Sequence, residues 1–293
     1  MTRAYAVITP AHNEAASIAR IGACMAGQTV LPTRWVLVEN GSSDGTYELA
    51  LGLAEKYPWV QVVQTTSLAS EERGAPIVHA IHAGLSALEP WPEVVAQLDA
   101  DLSLPPDYFE RLLVALEHDE TLGIVSGTCF EEQDGVWRER FATGANVWGA
   151  ARVYRRDCLE QVLPLEQRTG WDSVDVAEAN ARGWNTRVLR DIRFDHHRPE
   201  ASREQSRWTA WAAQGRVSHY IGYRPTYLLL RAAFRAPRDP TALGLVTGYA
   251  GEVVRRRPRC AKPGVCAFVR REQRLRELAR RLAEARGGGR PSR

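Results

Sequence analysis

Two aspartates at the end of an apolar run could hold a metal ion. Asp99 and Asp101 follow the run 94–98 directly. Carboxylates two residues apart offer hard oxygen ligands to Mg²⁺ or Mn²⁺, whose remaining coordination positions suit water and phosphate oxygens. The alternative is a pair of turn or helix-capping aspartates ahead of Pro105 and Pro106. Two aspartates at this spacing are a weak signal by themselves, and the position after a buried strand strengthens the metal interpretation.

Two more polar clusters follow apolar runs in the first half of the chain. The run 5–9 leads into Pro-Ala-His-Asn-Glu, which ends at Glu14, and the run 35–39 leads into the polar segment 40–46. Ligands of open α/β sheets bind at the carboxyl ends of the strands. The three clusters therefore predict one crevice at a single edge of a sheet.

The elements that position these clusters alternate between strand and helix patterns over the first 130 residues. Apolar runs predict strands at 5–9, 35–39, 60–64, 94–98 and 124–126, and helical patterns lie at 13–26, 44–57, 75–88 and 105–118. Such alternation is typical of βαβ units. We therefore expect an α/β fold with a mainly parallel sheet and helices on both of its faces.

The pattern changes after about residue 128. Shorter strands are predicted at 147–154, 186–189 and 192–196, with a helix at 173–182. Beyond Pro199 the pattern is helical, at 202–221, 225–235, 241–256 and 267–286. We divide the chain into an α/β domain at residues 1–200 and a helical C-terminal extension at residues 201–293.

Composition and missing motifs exclude several classes of protein. Of the 293 residues 44% are hydrophobic, too many for a disordered chain. No apolar stretch reaches the roughly 18 residues of a membrane span, and the N-terminal run is too short for a signal sequence. Five cysteines without metal-binding spacing suit reduced thiols, so we expect a cytoplasmic protein. The phosphate-binding glycine motifs of dinucleotide oxidoreductases and P-loop NTPases are missing, as is the G-x-S-x-G of α/β-hydrolases.

The net charge of +3 averages over two different regions. Residues 255–293 hold 13 arginines and one lysine against three glutamates, a net charge of +11, which leaves −8 for residues 1–254. The basic segment 268–285 has leucines along one side, which suits a helix on an anionic membrane surface. Packing on the rest of the chain and a homodimer contact are the alternatives. No nucleic-acid recognition motif accompanies the charge, so we expect no nucleic-acid partner.

Three segments in this order resemble the family-2 glycosyltransferases of the GT-A fold. They read VITPAHNE, VLVENGSSDGT and VAQLDADLSLPPDYFERLL. The family usually shows P-x-[YH]-N-E, V-D-D-G-S-x-D-G-T and D-x-D at these places. Glu39 and Asn40 stand where the family has an acidic pair, so one negative charge is missing. The resemblance covers about residues 4–200 and makes them a nucleotide-sugar-binding and catalytic domain.

The resemblance implies a role for each matching residue. Four residues would surround the nucleobase, with Asp44 nearby: Pro10, Ala11, Glu14 and Glu39. Arg73 would face the diphosphate or sugar, unless it is a solvated loop arginine. Asp99 and Ala100 would lie at the ribose or sugar, and Asp101 would bind Mn²⁺ or Mg²⁺.

The second half of the chain holds candidates for the remaining chemistry. Sugar transfer needs a base for the acceptor proton and positive charge for the departing diphosphate. Asp172 and Asp175 share one face of a predicted helix near its N-terminus, where the resemblance places the base, and we favour Asp172. Their alternative roles are an N-cap and a first-turn charge. The resemblance places a metal-binding histidine near Arg198, although a histidine at a strand end is often structural. Strand alternation lets only one of His196 and His197 face the metal, and the sequence leaves open which one does; we assign His197 to the metal and Arg198 to the phosphates.

These assignments predict a metal-dependent, inverting glycosyltransferase that moves a sugar from a nucleotide-diphospho-sugar to an acceptor hydroxyl. Polysaccharides, glycolipids and glycosylated metabolites are the expected products, and a lipid-linked acceptor would suit a protein that lies peripherally on the inner face of the membrane. The alternatives are a nucleotide-sugar-binding protein without a base, and a sugar nucleotidyltransferase. The latter usually carries a glycine-rich loop with Arg or Lys near the first strand, which this sequence lacks.

Overall fold

A nine-stranded sheet forms the centre of the computed structural model, in the order β3-β2-β1-β4-β8-β6-β9-β5, with β7 paired to β6. The structure describes residues 4–66, 74–133, 135–140, 145–198, 206–274 and 276–277. Its first half is parallel and consists of β1 (Tyr5–Ala11), β2 (Arg34–Glu39), β3 (Val60–Gln64) and β4 (Val94–Leu98). The helices between these strands are α1 (Ala15–Ala26), α2 (Thr46–Lys56) and α3 (Gly74–Ala87).

The second half of the sheet is mixed. Its strands are β5 (Leu102–Ser103), β6 (Leu122–Gln133), β7 (Val136–Glu139), β8 (Ala151–Arg155) and β9 (Asn185–His196). Its helices are α4 (Tyr108–His118), α5 (Arg156–Val162) and α6 (Trp171–Ala181). Strand β8 lies between β4 and β6 and is antiparallel to both, whereas β9 is parallel to β6.

Several predicted boundaries change in this half. The strand predicted at 147–154 begins only at Ala151, and the two strands predicted at 186–189 and 192–196 form the single strand β9. A register shift of the β6–β9 pairing between Gly127 and Thr128 accommodates the interruption that the sequence shows. Helix α5 and the short strands β5 and β7 were not predicted.

Both faces of the sheet are covered, as the parallel strands require. Side chains of β1 alternate between two cores. Val7 packs in the core that contains residues of α1 and α4, and Ile8 packs in the core that contains residues of α3, α5 and α6. This arrangement confirms the predicted α/β fold with helices on both faces.

Four helices follow the sheet: α7 (Arg207–Tyr220), α8 (Pro225–Arg235), α9 (Gly244–Val254) and α10 (Val265–Glu272). Ser206 caps α7 and forms a capping box with Thr209, so the helix begins later than residue 202. A 3₁₀ turn at Pro240–Leu243 replaces the start of the helix predicted at 241–256. The helix predicted at 267–286 is confirmed over 267–272, within α10, but it is interrupted at Gln273 and Arg274 before residues 276 and 277, which are again helical. Residues 278–293 lie outside the described residues.

The C-terminal helices pack on the α/β part rather than standing apart from it. Val265 and Val269 of α10 share a core with Val174 and Ala177 of α6. The Nζ of Lys262 lies 2.6 Å from a carboxylate oxygen of Glu178, also on α6. Within the described part of the chain no helix has both the length and the hydropathy needed to cross a membrane.

Candidate functional site

The loops after β1 and β2 are tied together by side-chain hydrogen bonds. The Asp44 carboxylate accepts hydrogen bonds from the backbone N–H of Ala15 (3.1 Å) and from that of Thr46 (3.1 Å), so it holds the first turns of α1 and α2. The hydroxyl of Thr46 also donates to it and is the main cause that lowers the pKa of Asp44. Asn13, with a φ of 55°, accepts from the backbone N–H of Ser43. Asp44 thus shapes the predicted crevice.

Glu39 and Asn40 lie buried at the end of β2, beside the end of β1. The β1–β2 register pairs Ala11 with Glu39 and Pro10 with Val38. The Glu39 carboxylate accepts from the backbone N–H of Ser42 and from Nε2 of Gln64 at 3.4 Å. The side-chain oxygen of Asn40 has no hydrogen-bond partner among the described residues. The residue that departs from the family pattern therefore offers a buried acceptor for a ligand N–H.

Asp99, Asp101 and His196 form a group whose ligand atoms all lie within 4.8 Å of one another. The β5–β9 pairing places His196 opposite Leu102, next to Asp101. The Nε2 of His196 lies 3.3 Å from Oδ1 of Asp101, and both residues are buried. Two carboxylates and one imidazole are ligands that can bind a divalent ion such as Mn²⁺ or Mg²⁺. The residues present therefore fit a divalent ion.

The other nitrogen of His196 faces a second carboxylate. Its Nδ1 lies 3.4 Å from Oε1 of the buried Glu131, which in turn forms an ion pair with Arg140 at 3.0 Å. Cys129, Glu131 and His196 form a second group whose ligand atoms lie within 4.8 Å of one another. Burial alone would lower the pKa of His196, but Asp101, Cys129 and Glu131 raise it to about 12. The contact with Glu131 fixes the orientation of the imidazole toward Asp101.

His197, which we predicted as the metal ligand, lies outside this group. Its Nε2 lies 2.7 Å from the hydroxyl of Ser103, and its ring meets the edge of Trp137 at a centroid distance of 5.3 Å. The backbone N–H of His197 donates to the carbonyl of Asp101 at 3.0 Å. Since successive side chains of a strand point to opposite faces, only His196 reaches the two aspartates.

Arg198 connects the metal group with the nucleotide side of the crevice. Its guanidinium forms an ion pair with the Glu14 carboxylate, and its Nε lies 3.6 Å from Oδ2 of Asp101. The positive charge is therefore placed between two of the predicted site carboxylates. Arg73, the other predicted phosphate contact, lies outside the described residues.

Asp172 and Asp175 differ sharply in exposure. The side chain of Asp172, in the first turn of α6, is 40% exposed, and its Oδ2 lies 3.9 Å from a guanidinium nitrogen of Arg152. Asp175 is 1% exposed and pairs with Arg152 at 2.8 Å, and it accepts hydrogen bonds from Tyr154 and the backbone of Val176. Burial raises the pKa of Asp175, while the Arg152 charge acts in the opposite direction. Of these two aspartates, only Asp172 is accessible from solvent.

The strand β8 connects Asp172 with Asp99. Arg152 pairs with Gln97 of β4, and the carbonyl of Ala150 accepts from the backbone N–H of Asp99 at 2.7 Å. Gly149 lies so close to Asp172 that a Cβ atom there would come within 2.9 Å of its Oδ2. The candidate base and the candidate metal group therefore border the same short loop.

Three residues that support the site were not predicted from the sequence. Glu131 and Arg152 were not singled out, because their partners in the sheet are distant in sequence. Arg140 was not singled out either, and it pairs with Glu131 nine residues earlier. The one available signal was Arg152 itself, an arginine inside an apolar strand pattern, which is rarely buried without a partner.

Comparisons with known proteins identify the family of the chain and its fold. The sequence model described as Glycosyl transferase family 2 matches residues 6–164. The structure is similar to the mannosyltransferase PcManGT from Pyrobaculum calidifontis in complex with GDP-Man and Mn²⁺, with 16% identity, a TM-score of 0.59 and coverage of 98% of this chain and 87% of that one. The structure is also similar to TarS 1-349 from S. aureus in complex with UDP-GlcNAc, with 16% identity, a TM-score of 0.53 and coverage of 74% of this chain and 66% of that one. A third similar structure is GalNAc-T7 with UDP, GalNAc and Mn²⁺, with 13% identity, a TM-score of 0.55 and coverage of 75% of this chain and 49% of that one. These likenesses confirm the predicted GT-A fold class.

Proposed function

Because the chain belongs to glycosyl transferase family 2 and is thus a glycosyltransferase, we propose that it transfers a sugar from a nucleotide-diphospho-sugar to an acceptor hydroxyl, with inversion at the anomeric carbon. The observation that carries the proposal is the group of Asp99, Asp101 and His196 at the edge where β1, β2 and β4 end. Of the three similar structures described above, two hold Mn²⁺ and all three hold a nucleotide or a nucleotide sugar.

Asp101 and His196 would hold the divalent ion, with Asp99 beside it. A bound Mn²⁺ or Mg²⁺ neutralises the diphosphate and so makes it a better leaving group. Arg198 adds a second positive charge near Asp101. We therefore replace His197 by His196 in the proposed ligand set.

The crevice between β1 and β2 would bind the nucleotide. Pro10, Ala11 and Glu39 border it, and the unpartnered oxygen of Asn40 can accept a hydrogen bond from a base N–H. Asp44 contributes by fixing the two loops. A role for Arg73 at the diphosphate stays a prediction.

Asp172 would act as the general base. It takes the proton of the acceptor hydroxyl as the hydroxyl oxygen forms a bond to the anomeric carbon, and the bond from that carbon to the diphosphate oxygen breaks on the opposite face. One displacement of this kind inverts the configuration. Asp175 is a positioning residue, since it holds Arg152, whose other guanidinium nitrogen faces Asp172.

A screen of nucleotide sugars by thermal shift identifies the sugar donor. GDP-mannose, UDP-GlcNAc and other nucleotide sugars are tested with and without Mn²⁺, since a ligand that binds the folded state raises the melting temperature. We expect one donor to stabilise the protein only with the ion. Asp101→Ala and His196→Ala should lose this shift, and His197→Ala should keep it. If no nucleotide sugar shifts the melting temperature, the proposal is wrong.

Turnover of the identified donor then tests the base. Asp172→Asn should lower kcat by about 100- to 10,000-fold while donor binding persists. The matched control is Asp157→Asn, which changes an exposed first-turn aspartate of α5. Donor binding without any turnover in the unaltered protein would instead indicate a nucleotide-sugar-binding protein.

A further inference from the structure

Helix α8 turns an apolar face to solvent. Leu229, Leu230 and Phe234 are 54%, 49% and 58% exposed, whereas Leu228 and Ala232 on the opposite face are buried. The buried side packs against Leu245 and Tyr249 of α9. We call the three exposed residues the α8 face. A single exposed leucine needs no explanation, but three on one short helix mark an interaction surface.

Positive charge surrounds the α8 face. Residues 222–238 contain four arginines and no acidic residue. They are Arg224, Arg231, Arg235 and Arg238, and among the described residues none lies within ion-pair distance of a carboxylate. The guanidinium of Arg231 donates to Oε1 of Gln214, and that of Arg235 lies over the ring of Trp211. The side chains of Arg231 and Arg235 thus contact uncharged partners, and Asp239, the acid that interacts with Arg235, is itself paired with Arg207 at 3.3 Å.

A second basic group lies at the other end of the helix pair. The hydroxyl of Tyr249, near the end of α9, donates to the carbonyl of Tyr223, just before α8. The chain that leaves α9 therefore emerges near the start of α8, and it carries arginines at 255, 256, 257 and 259. Over residues 206–274 the net charge is +11, from 13 arginines and one lysine against three acids.

We propose that the α8 face docks on an anionic lipid bilayer. Leucine and phenylalanine side chains enter the boundary between headgroups and acyl chains, and arginines bind the lipid phosphates. A second copy of the chain fits less well, because two such faces would bring eight uncompensated arginines together. Nucleic acid would engage the arginines but leave the three apolar side chains in water.

Sedimentation with vesicles tests the docking without any need for turnover. The full chain is mixed with phosphatidylcholine vesicles, or with vesicles that also contain about 30% phosphatidylglycerol, and the bound fraction is measured. We expect binding only to the anionic vesicles, and weaker binding at high salt. The double variant Leu230→Ser/Phe234→Ser should bind about tenfold or more weakly. Arg238→Gln should bind several-fold more weakly, since each basic residue near the surface contributes about 1 kcal/mol.

The control is Leu49→Ser/Leu51→Ser, which removes two exposed leucines from α2 and should bind like the unaltered protein. Equal binding by the α8 double variant and the unaltered protein would overturn the proposal, as would failure of the unaltered protein to bind anionic vesicles. Light scattering without lipid tests whether a second copy of the chain covers the α8 face instead. If the unaltered protein is a dimer and the α8 double variant is a monomer, the face is a dimer contact. Thermal shift by a nucleotide sugar is independent of all these outcomes.

Discussion

His196 links two parts of the candidate site, because its two ring nitrogens face two different carboxylates. Nε2 lies 3.3 Å from Asp101 and Nδ1 lies 3.4 Å from Glu131. A histidine that binds a metal through one nitrogen usually donates from the other to a carboxylate, which fixes the ring and raises its basicity. In the proposed ligand set, Glu131 would therefore position His196 for the metal.

Glu131→Gln should weaken Mn²⁺ binding about 10- to 100-fold, since the ring loses its charged partner. Isothermal titration calorimetry or the electron paramagnetic resonance of Mn²⁺ measures the dissociation constant directly, without turnover. The control is Glu132→Gln at the exposed neighbouring position. If both variants bind Mn²⁺ like the unaltered protein, Glu131 has no part in positioning His196.

Asp172 and Asp175 should respond to the same substitution in opposite ways. Asp175→Asn leaves the fully buried Arg152 without its counter-charge and should lower the free energy of unfolding by about 3–5 kcal/mol. Asp172→Asn changes an exposed carboxylate and should cost less than about 1 kcal/mol. Urea denaturation followed by circular dichroism measures both, and equal midpoints would contradict the assignment of Asp175 to structure.

The sequence located the site aspartates because strand ends are local features. Asp99 and Asp101 follow an apolar run, and that run alone predicts where their strand ends. Choosing between His196 and His197 required the pairing of β9 with β5 and β6, which joins residues about 65 to 95 positions apart in the chain. The same holds for Glu131 and Arg152, whose partners are set by pairing across the sheet.

At the scale of elements, the parallel half of the fold was predictable and the mixed half was not. The bounds predicted for β3 and β4 agree with the structure, because each apolar run is flanked by turn residues. Strand β8 enters the sheet antiparallel between β4 and β6, a placement that no local pattern encodes. Helix α5 follows it directly at Arg156, without the intervening turn that marks other helix starts.

Helices α7 and α9 pack closely because glycines lie where the two helices meet. This contact was not predicted from the sequence. A Cβ atom at Gly248 would come within 2.0 Å of the Ala212 carbonyl, and one at Gly215 within 2.3 Å of the Leu245 carbonyl. Gly244 makes a similar approach to the carbonyl of Trp208. The spacing of Gly244 and Gly248, four residues apart on one helix face, was the available signal.

Gly248→Ala should therefore separate α7 from α9 and lower the free energy of unfolding by about 1–3 kcal/mol, in spite of the better helix propensity of alanine. Gly251→Ala in the same helix is the matched control. Its Cβ would meet only the movable end of Arg255, so propensity should raise the stability by up to about 1 kcal/mol. Chemical denaturation compares the two, and a stabilised Gly248→Ala would refute the close packing.

At the scale of the whole molecule, the predicted division at residue 200 does not mark an independent appendage. Lys262 reaches the α/β part, where its Nζ donates to the carbonyls of Val162 and Pro164 at 2.7 Å each and to Glu178. Helix α6, which receives this contact, also carries Asp172 in its first turn. The C-terminal helices thus support the helix that presents the candidate base, and we expect the two parts to unfold together.

Lys262→Ala tests that coupling, because it removes the donor to two carbonyls and one of the two cationic partners of Glu178, which keeps Arg182 at 2.8 Å. The free energy of unfolding should fall by about 1–3 kcal/mol, and the unfolding midpoints of both parts should move equally. Seven of the nine tryptophans precede residue 200, so their fluorescence follows mainly the α/β part, whereas far-ultraviolet circular dichroism includes α7 to α10. Lys56→Ala, at the only other lysine of the sequence, is exposed and should leave both midpoints unchanged. If the circular dichroism transition moves to lower denaturant while the fluorescence transition stays, the extension unfolds separately and cannot be what holds α6 in place.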